Sequence, residues 1–118
     1  MVRLPSLIVL LLLFLQSGCA NDLDRERRSR IGVRGLVAAP PNKVEEALDR
    51  VVALGAYALP DIEQEFHAAP ALGRQRLLRA LERIDSRKAV PLLRFLAEHD
   101  TDETVRRRAA VLARRVGR

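Results

Sequence analysis

The last third of the chain contains a helical pattern that matches an earlier segment in register. At a shift of 32 residues, segment 74–84 falls on segment 106–116, so that Leu77 meets Ala109 and Ile84 meets Val116. Three pairs of arginines match as well: Arg74/Arg106, Arg76/Arg108 and Arg83/Arg115. A helical period of about 30 residues predicts a repeat architecture, in which each unit buries its apolar face by stacking on a neighbour.

Apolar residues with helical spacing divide residues 43–118 into five predicted helices. These cover about 43–54, 59–68, 71–84 and 87–98, with a last helix between Asp100 and Gly117. Helix starts and stops are expected at Asn42/Glu45, Asp85 or Ser86, Asp100/Glu103, Gly55 and Gly117. Aromatic residues make up only 3% of the chain, which favours helices over sheets. We predict an all-α fold, a short α-solenoid of antiparallel helix pairs with about five helices after a signal peptide.

The first 18 residues have the layout of a secretory signal peptide. Arg3 precedes an unbroken apolar run from Leu7 to Leu15, and small residues follow it. A helix over this run reaches about 14 Å, well short of a hydrocarbon core of about 30 Å. Targeting is therefore favoured over a permanent transmembrane helix.

The end of this segment, Ser17-Gly18-Cys19, resembles a bacterial lipoprotein signal. The resemblance implies that Cys19 carries fatty acyl chains such as palmitate, becomes the mature N-terminus and anchors the protein in a membrane. Gln16 stands where the lipoprotein pattern usually has Leu, so conventional cleavage after Ala20 and an uncleaved anchor stay open. With Ala20 in place of the Asp that typically retains a lipoprotein at the inner membrane, the resemblance favours the outer membrane, facing the periplasm.

Residues 19–42 show no sustained helical or strand period and include a run of mixed charge, glycines and two prolines. We predict a flexible charged linker here, in which the apolar patch from Gly35 to Ala39 docks on a helical domain spanning 43–118. The arginines of this linker either contact anionic lipid or belong to a solvated spacer.

The segment from Ser86 to Gly117 resembles a HEAT repeat of the bacterial type also found in phycobilin lyases. The resemblance is carried by Ala89–Leu93, Asp100–Arg106, Ala109-Ala110 and Val116-Gly117. It is weaker over 59–85, where Gly73 stands in the place of Val105, and absent before Asn42. It implies a right-handed stack of antiparallel helix pairs that binds other macromolecules along one face, and it does not imply lyase activity.

Arginines are the main candidates for a binding role, because the net charge of +6 is concentrated in a surplus of +4 over 101–118. Some are expected to face water on the last helix, and others to form a basic ridge across the repeats. Arg74 and Arg106 are instead expected to brace carboxylates in the turns between repeats. The candidate partner-binding residues are Arg76, Arg83, Arg107, Arg108, Arg114, Arg115 and Arg118.

The sequence contains no motif of a known catalytic or metal site. His67 and His99 are interpreted as surface residues at helix C-termini, and a single cysteine excludes a disulfide framework. We predict no catalytic residue, no metal and no cofactor. Nucleic acid is not favoured as a partner, because interleaved aromatic residues are missing and the N-terminus indicates export.

Together these features predict a non-catalytic envelope lipoprotein that acts as a protein–protein interaction module for an unidentified protein. The alternative is an electrostatic binder of anionic lipid or cell-envelope polymer through an arginine-rich helical face. No pattern in the chain sets an oligomeric state.

Overall fold

The computed structural model describes the backbone of residues 6–116 and the side chains of residues 22–116. This part of the chain is helical and contains no strand. Short 3₁₀ segments at Pro41–Lys43, Gly55–Ala58 and Arg87–Ala89 precede three of the helices. The α-helices are α1 (Ser6–Ala38), α2 (Val44–Leu54), α3 (Leu59–Phe66), α4 (Ala71–Ile84), α5 (Val90–His99) and α6 (Glu103–Val116). The predicted all-α fold is confirmed, and the five helices predicted after residue 42 correspond to α2 to α6.

Consecutive helices pack as pairs: α1 with α2, α3 with α4, and α5 with α6. The second helices of the pairs also contact one another in order, α2 with α4 and α4 with α6. The first helix, α1, also contacts both helices of the second pair, α3 and α4. This arrangement is compatible with a short solenoid of three helix pairs.

Burial repeats three times along the chain with the same helical spacing. On the first helix of each pair, or in the turn leading into it, the buried residues are Ser29/Val33/Leu36, Ala58/Ile62/Phe66 and Ala89/Leu93/Leu96. On the second helix they are Val44/Leu48/Val51, Gly73/Leu77/Ala80 and Val105/Ala109/Leu112. The intervals between corresponding residues are 29 to 32. The periodicity therefore extends upstream of Asn42, where the sequence showed no match.

Residues 22–38, predicted to belong to a flexible linker, instead form the C-terminal half of α1. Burial begins at Ser29, and Val33 and Leu36 are fully buried. The expected docking of the apolar patch is confirmed, since Val37 and Ala39 pack against the core beside Leu36. The linker prediction is corrected for residues 22–38, because a helix can dock through a narrow stripe of residues at i, i+4 and i+7.

Gly73 shows why the earlier repeat departs from the later one. A Cβ atom at this position would lie 2.8 Å from Val37 Cγ1 and 3.2 Å from Ala69 Cβ. Val37 belongs to α1, so the close approach of α1 to α4 requires a residue without a side chain. Val105 occupies the matching position on α6, which packs mainly against α5 and α4.

The helix ends follow the predicted residue types with two corrections. Asp102 caps α6, since its Oδ1 accepts the backbone N–H of Val105 at 3.0 Å, whereas Asp100 accepts the N–H of Asp102. No side-chain hydrogen bond caps the start of α2, so the predicted capping box at Asn42 is not formed. Ser86 caps the 3₁₀ turn before α5, and Gly55, at φ 59°, ends α2 as predicted. Gly117 lies outside the described residues.

Candidate interaction surfaces

The row formed by α2, α4 and α6 is held together by ion pairs that define two sides of each helix. We call the flank that faces the following pair the exit side, and the flank that faces the preceding pair the entry side. On the exit side of α2, Glu45 contacts Arg79 and Asp49 accepts a hydrogen bond from Arg83 at 2.8 Å. Both arginines lie on the entry side of α4.

The next junction repeats this polarity. Glu82 lies on the exit side of α4 and accepts a hydrogen bond from Arg115 Nη1 at 3.0 Å. Arg108 Nη2 lies 3.8 Å from the second carboxylate oxygen of Glu82. Both arginines belong to α6. In these contacts between α2, α4 and α6, the earlier helix supplies the acid and the later helix supplies the arginine.

Arg76 contacts the preceding helix pair through backbone oxygens. Its Nη1 donates to the carbonyl oxygens of Leu36, Val37 and Ala39 at 3.2, 3.1 and 2.7 Å. These carbonyls lie at or just beyond the C-terminus of α1, where helical carbonyl groups lack intrahelical partners and attract positive charge. Arg76 therefore caps α1.

A buried arginine also joins the second and third pairs. Arg74 Nε lies 3.0 Å from Asp100 Oδ2, and its Nη2 donates to Oδ1 at 3.2 Å. The two side chains are only 15% and 4% exposed. The contact between Nε and Oδ2 does not have the geometry of a hydrogen bond. The expected bracing role is confirmed for Arg74.

Arg106 makes a bond that matches a second contact of Arg74. Arg106 Nη1 donates to the carbonyl oxygen of Asp100 at 2.7 Å, and Arg74 Nη1 donates to that of Ala69 at 2.7 Å. Each bond ties the first turn of a second helix to the loop before it. Arg106 thus braces a backbone carbonyl and not the carboxylate that we expected.

The seven arginines predicted to bind a partner therefore fall into two groups. Those expected to form a continuous ridge lie at the junctions, where each contacts an oxygen of the preceding pair: Arg76, Arg83, Arg108 and Arg115. The structure does not bring them together as a free basic ridge. The others expected to face water are Arg107, Arg114 and Arg118, of which Arg118 lies outside the described residues.

Arg107 and Arg114 are the exposed arginines of α6. The Arg107 side chain is 73% exposed and lies 3.6 Å from Glu103, one helical turn earlier. Arg114 is exposed and makes no ion pair within the described residues. At a shift of 32 residues, Arg114 occupies the place that Glu82 holds on α4. At this position α6 is therefore basic where α4 is acidic.

A groove of about 890 Å³ lies at the opposite end of the row, between α1 and the entry side of α2. Ala47 and Leu54 line it, at the positions that Arg76 and Arg83 hold on α4. The entry side of α2 therefore has apolar residues at two positions where α4 has arginine, and it keeps Arg50 at the position of Arg79. Sequence reasoning missed this groove, since it depends on α1.

The two histidines lie at the predicted helix C-termini. His67 follows the last residue of α3, and His99 is the last residue of α5, where its ring packs 4.8 Å from that of Phe95. Both line one shallow cleft of about 230 Å³. In residues 22–116, no group of three or more histidine, cysteine or acidic residues is placed to hold a metal ion.

Sequence reasoning also missed the acids that partner the junction arginines. The signal was present, because Glu45/Arg79, Asp49/Arg83 and Glu82/Arg115 are each separated by 33 or 34 residues, close to the repeat length.

Cys19, the proposed lipid attachment site, lies outside the side chains that the structure describes. No helix of the described region combines the length and apolar character needed to span a membrane. No protein-family model, curated protein or solved structure matches the chain.

Proposed function

We propose that this chain is a non-catalytic envelope lipoprotein whose HEAT-like helix pairs form a protein–protein interaction module. The observation that carries the proposal is that an arginine takes the place of a junction acid on the last described helix. The acids Glu45, Asp49 and Glu82 contact arginines of the next helix in the row, whereas α6 carries Arg114 at the position of Glu82. An exposed arginine at this position fits an acidic partner.

The composition of the α6 surface favours a protein over a diffuse polyanion. Ala110 and Ala113 are half-buried beside Arg114, so this flank combines small apolar side chains with a charge at its edge. Protein interfaces commonly have an apolar centre and a polar rim, with arginine enriched among their residues. Four of the seven candidate arginines are already engaged at the junctions, which leaves few charges for a polymer that recognises charge alone.

The course of α1 supports a membrane-proximal position for the module. The helix is continuous from Ser6 to Ala38, and Cys19 lies ten residues before the first buried residue, Ser29. Ten helical residues correspond to about 15 Å. If Cys19 is acylated, the helical body lies close to the membrane surface, with the outer membrane favoured by the lipoprotein resemblance.

The anchor is tested with Cys19→Ser. We expect loss of metabolic fatty-acid labelling and a shift of the protein from the membrane to the soluble fraction. Unchanged labelling and partitioning would show that the lipoprotein assignment is wrong, without bearing on the binding surface.

The binding surface is tested by crosslinking in cells, with Arg114→Glu compared with Arg30→Glu. Both residues are exposed and both changes alter the net charge equally, but Arg30 lies on α1, far along the chain from α6. We expect Arg114→Glu alone to reduce capture of partners. Equal losses in both variants, with capture that falls steeply as salt rises, would favour the anionic-polymer alternative. Unchanged capture in Arg114→Glu would overturn the role of α6.

A further inference from the structure

The groove between α1 and α2 has the features of a second binding surface. We infer that it is a docking site for an amphipathic helix of a partner protein that carries acidic residues along its edges. This inference rests on the proposed role as an interaction module, but it concerns the opposite end of the row from α6.

The floor of the groove is apolar and permits close approach. Ile31 is 64% exposed and lines the groove together with Ala47 and Leu54. Gly35 is open, since an added Cβ there would meet no atom within 4 Å, and one at Gly32 would lie 3.8 Å from Val51. Small residues of this kind let the backbone of another helix come near the surface of α1.

The place of the groove in the repeat explains its apolar character. On α4, Arg76 and Arg83 reach across the entry side to the preceding helix pair. On α2 the corresponding residues are Ala47 and Leu54, and within the described chain no helix pair precedes α1 and α2. An incoming helix would therefore meet apolar side chains at two positions where α4 uses arginine, and a basic side chain at Arg50, which matches Arg79.

The charged residues around the groove favour an incoming helix that carries acidic residues. Four basic residues line it, Arg27, Arg28, Lys43 and Arg50, against the single acidic residue Glu46. Glu46 already contacts both Lys43 and Arg50, and Arg28 contacts Asp24. Within the described residues, Arg27 makes no ion pair. The surplus is positive, which favours a helix with acidic edges.

The contact between α2 and α4 shows how acidic residues could be spaced on such a partner helix. Glu45 and Asp49 lie one helical turn apart on α2 and contact two arginines on α4. Carboxylates spaced by four residues on a helix can therefore meet basic residues on the next one. The proposed partner has the same i, i+4 spacing of acids beside an apolar stripe.

A second copy of the chain fits this groove poorly. Stacking head to tail would bring Arg114 of one molecule towards the basic rim, with Arg27 and Arg50, of another. A two-fold contact would place the basic rim against itself. Like charges oppose both arrangements, so the inference commits to a different, acidic protein.

The test uses the full chain in detergent micelles and a fluorescent, hydrocarbon-stapled helix of about 18 residues. This probe has a Leu/Ala stripe with glutamates at i, i+4 along both edges, and its matched control has glutamine at the same positions. Fluorescence anisotropy measures binding. We expect the glutamine probe to bind about tenfold more weakly, which corresponds to about 1.4 kcal/mol.

Gly35→Leu fills the floor, and Gln64→Leu adds the same side chain on the exposed surface of α3, away from the groove. Leucine is a better helix former than glycine, so Gly35→Leu should not lower the thermal unfolding midpoint. We expect Gly35→Leu to weaken probe binding by tenfold or more and Gln64→Leu to leave it unchanged. Arg50→Glu should also weaken binding, whereas Arg114→Glu should not.

The inference is overturned if the acidic probe does not bind, if Gly35→Leu binds it as well as the unmodified chain, or if the glutamine probe binds equally. It is also overturned if the groove mediates self-association, seen as a sedimentation shift that Gly35→Leu abolishes. Binding to phosphatidylglycerol vesicles but not to the probe would assign the basic rim to lipid instead. Because Arg114→Glu leaves the groove intact, failure here is distinguishable from failure of the α6 proposal.

Discussion

The arginines of α4 and those at the exposed surface of α6 lie on similarly arginine-rich helices but differ in what they contact. Arg74 and Arg76 contact oxygen atoms in neighbouring helix pairs, whereas Arg107 contacts only Glu103 in its own helix, and Arg114 makes no ion pair within the described residues. The difference follows from helical position, since only arginines on a flank with a neighbouring pair can contact it. An arginine-rich helix is therefore not by itself a binding surface.

The largest effect is expected at the buried contact between Arg74 and Asp100. Replacing Arg74 with Leu leaves the Asp100 carboxylate, which is only 4% exposed, without its cation. Removing one partner of a buried ion pair typically costs about 3–5 kcal/mol. We expect the free energy of unfolding to fall by about this amount, measured by urea denaturation.

A second substitution at Asp100 separates the loss of the ion pair from a packing defect. Adding Asp100→Asn to Arg74→Leu removes the unpaired charge and keeps an oxygen that can accept the Asp102 N–H. Part of the lost stability should return. If the double variant is no more stable than Arg74→Leu, the cost does not come from an uncompensated carboxylate.

A smaller loss is expected for Arg76→Ala. This change removes the donor shared by three carbonyl groups at the end of α1, and an unsatisfied partly buried polar group costs about 1–3 kcal/mol. Amide exchange in residues 30–38 should accelerate as α1 loosens. Arg108→Ala is the matched control at the corresponding position of α6, where the arginine contacts only a half-exposed Glu82. Equal effects of the two changes would contradict the capping role.

The sequence was sufficient to predict most of the helical body. The helix now called α4 was predicted as 71–84 and is observed as Ala71–Ile84, because its apolar stripe and its flanking breakers are both strong. The C-terminal half of α1 was missed because only three of its positions are fully buried, one of them the polar Ser29. The Ser29 hydroxyl donates to Asp61 Oδ2 at 2.5 Å, a long-range partner that local periodicity does not reveal.

The candidate site was less predictable, because a repeat shift aligns side chains without saying which neighbour each one faces. The shift matched Arg83 with Arg115 correctly, and it suggested a continuous basic surface. Acids of the preceding helices pair with these arginines, Asp49 with Arg83 and Glu82 with Arg115, and this changes that interpretation. Recognising those acids requires the contacts between helix pairs as well as the pattern along the chain.

Arg114 and Arg115, adjacent on α6, test the difference between exposed arginines and arginines that contact a neighbouring helix pair. The larger loss of stability is expected for Arg115, which contacts α4. Arg115 Nη1 donates to Glu82 at 3.0 Å, although the arginine side chain is 65% exposed. Arg115→Glu replaces this attraction by repulsion between carboxylates, and exposed ion pairs contribute about 0.2–1 kcal/mol. We expect a loss of about 1 kcal/mol, which high salt should reduce in a urea titration.

Arg114→Glu makes the same chemical change one residue earlier and should have the smallest effect on stability. Arg114 is exposed and makes no ion pair within the described residues, and surface substitutions away from specific interactions usually change stability by less than about 0.5 kcal/mol. A negligible shift in the urea midpoint, together with reduced crosslinking to a partner, would separate binding from folding at this residue. A loss equal to that of Arg115→Glu would instead show that the exit side of α6 is already engaged within the chain, and the contrast between the two groups of arginines would fail.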